Sequence, residues 1–185
     1  MIAIGLEKTS DAAAREALLD AAYGPVRFEK SSERLRAGRA PARGLSFIAV
    51  EDGRVVGTVR LWDVTAGSVC PALLLGPLAV DPQHRRRGIG SALMQHAVQA
   101  AARRGHRAVL LVGDAPYYGR FGFSAERTGR LWLPGLADRN RLLGRAVVLG
   151  ALDGVRGAIR APSKPRMPLA AAVAGLARPA EPKAA

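Results

Sequence analysis

The distribution of apolar and polar residues along the first part of the chain predicts a strand followed by helices. The apolar run Ile2–Leu6 predicts a short opening strand. The polar residues Thr9-Ser10-Asp11 can cap a helix whose apolar residues share one face, and Gly24-Pro25 would end that helix. A shorter second helix is expected to begin at Ser31 or Ser32 and to end at Gly38.

The clearest pattern is a β-hairpin. Two apolar-rich runs, residues 45–51 and 54–63, are joined by Asp52-Gly53, a pair that tolerates the positive φ of a two-residue hairpin turn. A third strand is expected over residues 72–80. Gly76-Pro77 interrupts it, and proline has no N–H to donate to a neighbouring strand. We therefore expect a bulge, or a local parting of strands, at residues 76–78.

Apolar residues that recur every four positions after this strand predict an amphipathic helix. The repeat begins at Ile89 and leads to Arg103-Arg104-Gly105, where cations favour the carbonyl end of the helix and glycine favours the position past it. A short buried strand follows at Ala108–Val112. The order strand, helix, strand with a connection of this length predicts a right-handed parallel crossover.

The last part of the chain carries weaker signals for secondary structure. Asp114 can cap a short helix that extends to Arg120, and residues 121–123 are expected to begin another strand. Residues 132–135 read as an exposed or half-buried loop, and residues 146–149 as a last strand. Together the elements predict an α/β fold with a mixed sheet flanked by helices.

Length and composition indicate one globular domain followed by a tail. The chain has 185 residues, of which 49% are apolar and 23% are charged. From Pro162 onward the composition changes, because five of the final 24 residues are Pro and eight are Ala. We expect a single domain over residues 1–161 and a disordered, basic, Pro/Ala-rich tail over residues 162–185.

Charge and cysteine content narrow the class of protein. The net charge is +13 and comes mostly from arginine, so it indicates either an anionic partner or an arginine-rich composition. The single cysteine, Cys70, cannot form an intramolecular disulfide, and His84, His96 and His106 lack metal-ligand spacing. The apolar runs are shorter than the about 20 residues that cross a bilayer. We expect a cytoplasmic protein that uses no metal and no membrane.

The segment between the third strand and the next helix has the composition of an anion-binding site. It contains three consecutive arginines, Arg85, Arg86 and Arg87, followed by Gly88 and Gly90 at the start of the helix. The first N–H groups of a helix have no partner within it, and glycine allows a phosphate to approach the backbone. The sequence therefore predicts a diphosphate-binding loop.

Two familiar phosphate-binding patterns fit this segment poorly. The sequence contains no Gly-x-x-x-x-Gly-Lys-Ser/Thr string. Gly88-x-Gly90 and the later Asp114 share features with the dinucleotide-binding fingerprint, but seven residues separate the strand from Gly88 and Leu93 stands at the third glycine position.

Two segments resemble one known family. LAVDPQHRRRGIGSAL, residues 78–93, resembles the acyl-CoA-binding segment of GNAT-type N-acetyltransferases, with Arg85-x-x-Gly88-x-Gly90 at its core. YYGRFGF, residues 117–123, is similar to the aromatic-Tyr-x-Arg-x-Gly-Phe signature that follows the next strand in that superfamily. With GALDG at residues 150–154, the chain looks most like the YhbS-type branch. The resemblance covers about residues 1–160.

The resemblance implies a GNAT-like fold with a centrally splayed sheet that binds acetyl-CoA. The main chain of the third strand would pair with the pantetheine amides, backbone amides of the loop would hold the pyrophosphate, and the three arginines would attract it or reach the 3′-phosphate. The implied cofactor-binding residues are Leu78, Ala79, Val80, Arg85, Arg86, Arg87, Gly88, Ile89, Gly90 and Ser91.

Tyr118 matches the tyrosine of the family's second motif, which implies that it protonates the leaving CoA thiolate. A phenol with a pKa near 10 stays protonated at neutral pH and can donate its proton to a thiolate. The alternative role of Tyr118 is packing against the pantetheine arm. Tyr117 is expected in the core and Phe123 to be buried. Neither Glu51 nor Asp63 is assigned as a base. Without a Ser-His-Asp or Cys-His pattern, we expect direct attack by an amine.

These inferences predict an N-acetyltransferase that moves an acetyl group from acetyl-CoA to a primary amine of a small molecule or protein. A non-catalytic acyl-CoA sensor is the main alternative, and a basic nucleic-acid-binding module is a weaker one, because the chain has few aromatic residues. Acceptor-recognising residues are expected within residues 24–43 and 128–143. The sequence leaves a monomer and a homodimer both open.

Overall fold

A computed structural model describes residues 1–162 of the chain. Apart from Pro162, the tail that the sequence predicts at residues 162–185 lies outside the described residues. Within residues 1–162, no helix is long and apolar enough to span a membrane.

Residues 1–162 form eight strands and three α-helices. The strands are β1 (Ile2–Leu6), β2 (Ser46–Glu51), β3 (Arg54–Ala66), β4 (Cys70–Val80), β5 (Ala108–Val112), β6 (Leu131–Trp132), β7 (Leu142–Ala146) and β8 (Gly157–Arg160). The helices are α1 (Ala12–Tyr23), α2 (Ile89–Arg103) and α3 (Ala115–Gly119).

The strands form a mixed sheet in the order β1-β2-β3-β4-β5-β7, and β8 pairs with β3 and β6. The first four strands are antiparallel neighbours, whereas β4 and β5 run parallel with α2 as their connection. The hairpin turn at Asp52-Gly53 has the positive φ angles that were expected, 49° and 77°. The α/β class, the mixed sheet and the parallel crossover are thus confirmed.

The sheet splays between β4 and β5. Their ladder consists of two pairs, Leu73 with Val109 and Leu74 with Leu110, although β4 continues to Val80. On its other side, β4 pairs Leu75 with Leu61 and Leu78 with Val59, so Gly76-Pro77 forms the bulge that the sequence predicts. Beyond Leu74, one edge of β4 is therefore free of β5 and borders a gap.

Apolar side chains cover both faces of the sheet and fix the helices on it. Leu93 and Met94 of α2 are fully buried and belong to one cluster with Leu61 and Leu73. The opposite face is covered by a second cluster that contains Trp62 and Ile159. α1 packs Leu18 and Leu19 on Ala79, at the end of β4 that borders the gap.

Several predicted elements differ in the structure. Residues 31–38 hold one 3₁₀ turn, Glu33–Leu35, rather than a helix. Residues 121–123 form a turn into a single bridge between Ser124 and Gly144.

The last strands also differ from the prediction. The strand expected at residues 146–149 lies earlier in the chain, at β7. The pairing of β7 with β5 ends at Ala146, because Ala146 pairs with Ala108, the first residue of β5. Leu149, beyond the end of β7, is 94% exposed. β8 was not predicted. The loop expected at residues 132–135 begins inside β6, and Leu133 is buried.

Candidate active site

The loop between β4 and α2 has the geometry of an anion-binding turn. The Asp81 side chain accepts a hydrogen bond of 2.8 Å from the Gln83 N–H, which fixes a 3₁₀ turn at Pro82–His84. Arg86 and Gly88 then both adopt positive φ, 64° and 78°, and Gly88 caps α2. The free N–H groups at the start of α2 and its dipole favour a negatively charged group there.

A cavity of about 400 Å³, here called the loop cavity, lies at this helix start. Tyr117 and Arg120 of the second motif face it from the other side, so the structure brings the two motifs together. The Arg120 guanidinium donates to Ser91 Oγ at 3.2 Å and lies 4.2 Å from the Tyr117 ring centre. The lining residues are Val80, His84, Arg85, Arg86, Gly88, Ile89, Gly90, Ser91, Tyr117 and Arg120.

Gly90 lies where the two motifs approach each other closely. A Cβ at this position would lie 3.1 Å from Tyr117 Oη and 3.5 Å from Val80 Cγ2. A glycine therefore keeps the start of α2 accessible between β4 and the tyrosine.

The three consecutive arginines point in different directions. Arg85 and Arg86 line the loop cavity, whereas Arg87 forms a bidentate ion pair with Glu51 of β2, at 2.6 and 2.7 Å. This hydrogen bonding lowers the pKa of Glu51. His84 Nε2 lies 3.3 Å from the same carboxylate. The Arg87 side chain thus anchors the loop to the hairpin rather than lining the cavity.

The end of β4 exposes backbone groups to the gap. Leu78 and Val80 are half-buried, and the Leu78 carbonyl accepts a hydrogen bond from the Tyr23 hydroxyl at the end of α1. Ala79 is buried against α1 and pairs with Thr58 of β3, so the structure does not bring it to the gap. The carbonyl at Leu78 faces away from β3, which is the orientation that an added extended chain would need.

A second cavity, here called the β4–β5 cleft, occupies the splayed end of the sheet. It has a volume of about 90 Å³ and adjoins the same end of β4. Residues 24–43 contribute Arg27, Lys30, Ser32, Glu33 and Arg36 to its lining. The other lining residues are Tyr23, Leu75, Gly76, Pro77, Leu78, Leu111, Val112 and Tyr118.

Residues 24–43, one of the two segments in which acceptor-recognising residues are expected, thus reach the cleft. Residues 128–143 contribute no lining residue among those described, although the charge of Arg141 acts on both Lys30 and Tyr118.

Tyr118 projects into this cleft from α3. Its ring packs directly on the backbone at the end of β5, because a Cβ at Gly113 would lie only 2.1 Å from Tyr118 Cε2. Burial raises the pKa of Tyr118 above that of an ordinary phenol, and the neighbouring Tyr23, Tyr117 and Asp114 add to this rise. The hydroxyl therefore keeps its proton at neutral and moderately alkaline pH.

The prediction for Tyr117 was wrong, and that for Phe123 is confirmed. Tyr117 is 36% exposed and lines the loop cavity, and its ring meets that of Tyr118 edge to face at 4.8 Å. Phe123 is 2% exposed. The one-turn helix α3 explains the difference, because adjacent residues in a helix face different sides.

Sequence reasoning assigned no role to Tyr23, Arg36 or Arg120, although Arg36 lies within residues 24–43, where acceptor-recognising residues are expected. Arg120 lies inside the YYGRFGF motif, so its position in the motif could have marked it as a site residue. Tyr23 and Arg36 lie in segments without a motif, and nothing distinguishes Arg36 from the other arginines of a basic chain. Within residues 1–162, no group of three or more His, Cys, Asp or Glu side chains could hold a metal ion.

Comparison with known proteins agrees with this geometry. The family model described as an acetyltransferase (GNAT) domain matches residues 42–125. YhbS of Escherichia coli, an N-acetyltransferase, is 30% identical over 119 residues, which cover 62% of this chain and 70% of YhbS. The chain belongs to the GNAT family of acetyltransferases. The resemblance to the YhbS-type branch is confirmed.

Solved GNAT structures share the fold over most of the chain. YhbS from E. coli in complex with CoA superposes with a TM-score of 0.74 at 27% identity, covering 87% of this chain and 89% of that one. A GNAT acetyltransferase from Brucella melitensis in complex with acetyl-CoA gives 0.67 at 27% identity, covering 88% and 97%.

Other curated relatives are much longer than this GNAT chain. An N-acetyltransferase of Streptomyces avermitilis is 36% identical over 118 residues, which make up 59% of this chain and 28% of that protein. The chain thus spans about a quarter of the length of the Streptomyces relatives that it matches.

Proposed function

We propose that this GNAT domain transfers an acetyl group from acetyl-CoA to a primary amine by direct attack. One observation carries the proposal: the end of β4 connects two sites, since Val80 borders the loop cavity and Leu78 borders the β4–β5 cleft with Tyr118. Two residues of extended strand span about 7 Å. An anion site and a proton donor therefore lie at opposite ends of one exposed backbone segment.

The residues of the loop cavity fit a diphosphate. Backbone N–H groups from Arg86 to Ser91 would hold its oxygens, and the side chains of Arg85, Arg86 and Arg120 would supply positive charge. Leu78 and Val80 would pair with the amides of the pantetheine arm, as an added strand pairs with a sheet edge. The E. coli YhbS structure in complex with CoA and the Brucella structure in complex with acetyl-CoA support the choice of ligand.

Tyr118 would act as the general acid. Acetyl-CoA, when bound, supplies a thioester carbonyl that the amine nitrogen attacks, so that a C–N bond forms as the C–S bond breaks. Tyr118 donates its hydroxyl proton to the departing sulfur, and its burial keeps that proton available. The proton lost by the amine leaves to water, and Tyr118 is reprotonated from solvent. A cytoplasmic location fits this role, because acetyl-CoA and amines are both available there.

Amine-dependent release of CoA thiol tests the proposal. The purified chain is incubated with acetyl-CoA and a broad panel of primary amines, and free thiol is measured against an amine-free control. We expect thiol release that depends on the amine and produces the N-acetylated product. Tight acetyl-CoA binding without release by any amine would contradict the proposal and favour the non-catalytic sensor.

A further inference from the structure

Arg36 is a buried cation whose Nε has no hydrogen-bond partner within residues 1–162. It is 9% exposed, and its Nε is buried in the wall of the β4–β5 cleft. Glu33 is the one carboxylate within 4 Å of its guanidinium among the described residues, at 3.8 Å, which is too long for a hydrogen bond. Buried guanidinium groups are normally paired, so this one is free to take another anion.

The surroundings of Arg36 carry excess positive charge. Arg27 is neutralised by Glu16 and Asp20 at 2.6 and 2.9 Å. Lys30 lies over the Tyr23 ring at 3.8 Å, and Glu33 is the only acidic side chain in the described lining. Burial, Arg36 and Arg141 all lower the pKa of Lys30. An anionic group in the cleft would relieve this repulsion.

Burial lowers the pKa of Arg36 to about 10, so the guanidinium is still charged at neutral pH. The direction of the change shows that the folded protein disfavours the unpaired charge. A bound anion would offset this cost.

Arg36 lies beside β4, in the cleft where the thioester of bound acetyl-CoA would react. Its Nη2 lies 2.9 Å from where a Cβ at Gly76 would stand, two residues before Leu78 in β4. Tyr118 borders the same cleft of about 90 Å³. A group bound to Arg36 would therefore be close to the site of amine attack, and the anion and amine of one acceptor would be separated by only a few bonds.

We propose that the acceptor is a small amine that also carries a carboxylate, an amino acid in the chemical sense, and that Arg36 binds this carboxylate. The inference rests on the proposed acetyl transfer. A carboxylate matches the planar fork of a guanidinium with two parallel hydrogen bonds, and it is the most compact common anion for so small a cleft.

Matched pairs of amines test the inference in the unmodified chain. Thiol release is measured with the free L-amino acids, β-alanine and 4-aminobutyrate, each beside the amine that lacks its carboxylate. 2-Aminoethylphosphonate serves as the phosphonate counterpart of β-alanine. We expect kcat/KM to be about tenfold or more higher for the best carboxylate-bearing amine than for its partner, because a charged hydrogen-bonding group is lost in the partner.

Substitutions at Arg36 assign the preference to this side chain. The pair ratio is kcat/KM for the carboxylate-bearing amine divided by kcat/KM for the amine that lacks the carboxylate. Arg36→Met should reduce this pair ratio by about tenfold or more, and Arg36→Lys should retain part of it. Arg103→Met, at the exposed end of α2, is the matched control and should keep the full ratio. Without an acceptor, Arg36→Met should melt at the same temperature as the unmodified chain or higher, because an uncompensated buried charge is removed.

The outcomes separate this inference from the proposed function. Equal kcat/KM within every pair would overturn the carboxylate site while acetyl transfer stands. A preference for the phosphonate, or a pair ratio unchanged in Arg36→Met, would also overturn it. If acetyl-CoA binds but no amine of either kind releases thiol, the proposed function fails and the carboxylate site fails with it.

Discussion

The hydroxyl of Tyr118 is the atom on which the proposed chemistry depends. Tyr118→Phe removes the proton donor and keeps the ring, so kcat should fall by about 100-fold or more while the Kd for acetyl-CoA stays within about twofold. Tyr117→Phe, one residue away, is the control and should lose much less of kcat. Steady-state kinetics and calorimetry on the same preparations measure the two effects. Equal losses in kcat and affinity would assign Tyr118 to packing.

Gly113 provides the space that the Tyr118 ring occupies. Gly113→Ala would place a Cβ 2.1 Å from Tyr118 Cε2, so the ring must move. Overpacking of this kind costs about 1–3 kcal/mol, and displacing the hydroxyl should lower kcat. Gly119→Ala is a matched control, because its Cβ would meet nothing within 4 Å. A Gly113→Ala variant with unchanged melting temperature and kcat would contradict this assignment.

The motif residues could be predicted from sequence, and their electrostatic partners could not. Gly88, Gly90 and Tyr118 stand in contiguous strings that repeat a known pattern. Whether an arginine is paired or free depends on residues far away in the chain. Arg87 is paired with Glu51, 36 positions away, whereas Arg36 has no hydrogen-bonded carboxylate among residues 1–162. Neither outcome has a local sequence signal.

The β2–β3 hairpin and the loop before α2 are joined by the ion pair between Glu51 and Arg87. The pKa of Glu51 is lowered in the folded state, first by its hydrogen bond to Arg87. A lowered carboxyl pKa stabilises the fold above the ordinary pKa near 4.5, and this contribution disappears as the pH falls through the lowered value.

Glu51→Gln should therefore lower the melting temperature at pH 7, and the difference from the unmodified chain should shrink below about pH 4. Glu126→Gln, which removes an exposed carboxylate without an ion pair in the described residues, is the control and should change the melting temperature little. Thermal melting between pH 3 and pH 7 measures both. A difference that stays constant across this range would show that the ion pair does not stabilise the fold.

Elements with strong periodicity were predictable, and elements defined by distant pairing were not. α2 and β5 have the predicted bounds because their own side chains form continuous apolar faces. β6 and β8 are short strands that exist through their pairing with each other and with β3. The glycine and proline at residues 76–77 did reveal the bulge, since they disfavour a regular ladder locally.

At the scale of the whole molecule, six arginines of residues 1–162 lie within 4 Å of a carboxylate. Glu7, whose side chain is 6% exposed, binds both Arg15 of α1 and Arg60 of β3. Arg27 and Arg87 are also paired. These ion pairs leave the net charge of +13 unchanged, because each pair holds one positive and one negative charge. Part of the excess positive charge is organised around the loop cavity, which Arg85, Arg86 and Arg120 line.

We propose that residues 1–161 form one acetyltransferase domain and that residues 162–185 are not needed for its folding or for binding of acetyl-CoA. A chain that ends at Ala161 should keep its melting temperature and bind acetyl-CoA with a Kd within about twofold of the full chain, since every residue that lines the two cavities is retained. Thermal melting and calorimetry compare the two chains. A marked loss of affinity in the shortened chain would move the domain boundary.

Titration calorimetry of the full chain with acetyl-CoA tests the central claim most directly. We predict saturable binding of one acetyl-CoA per chain, with an affinity that falls as ionic strength rises, because the loop holds the diphosphate partly through charge. CoA should compete for the same site. Binding heats that do not saturate at millimolar acetyl-CoA would contradict the claim that this chain binds acetyl-CoA at a specific site.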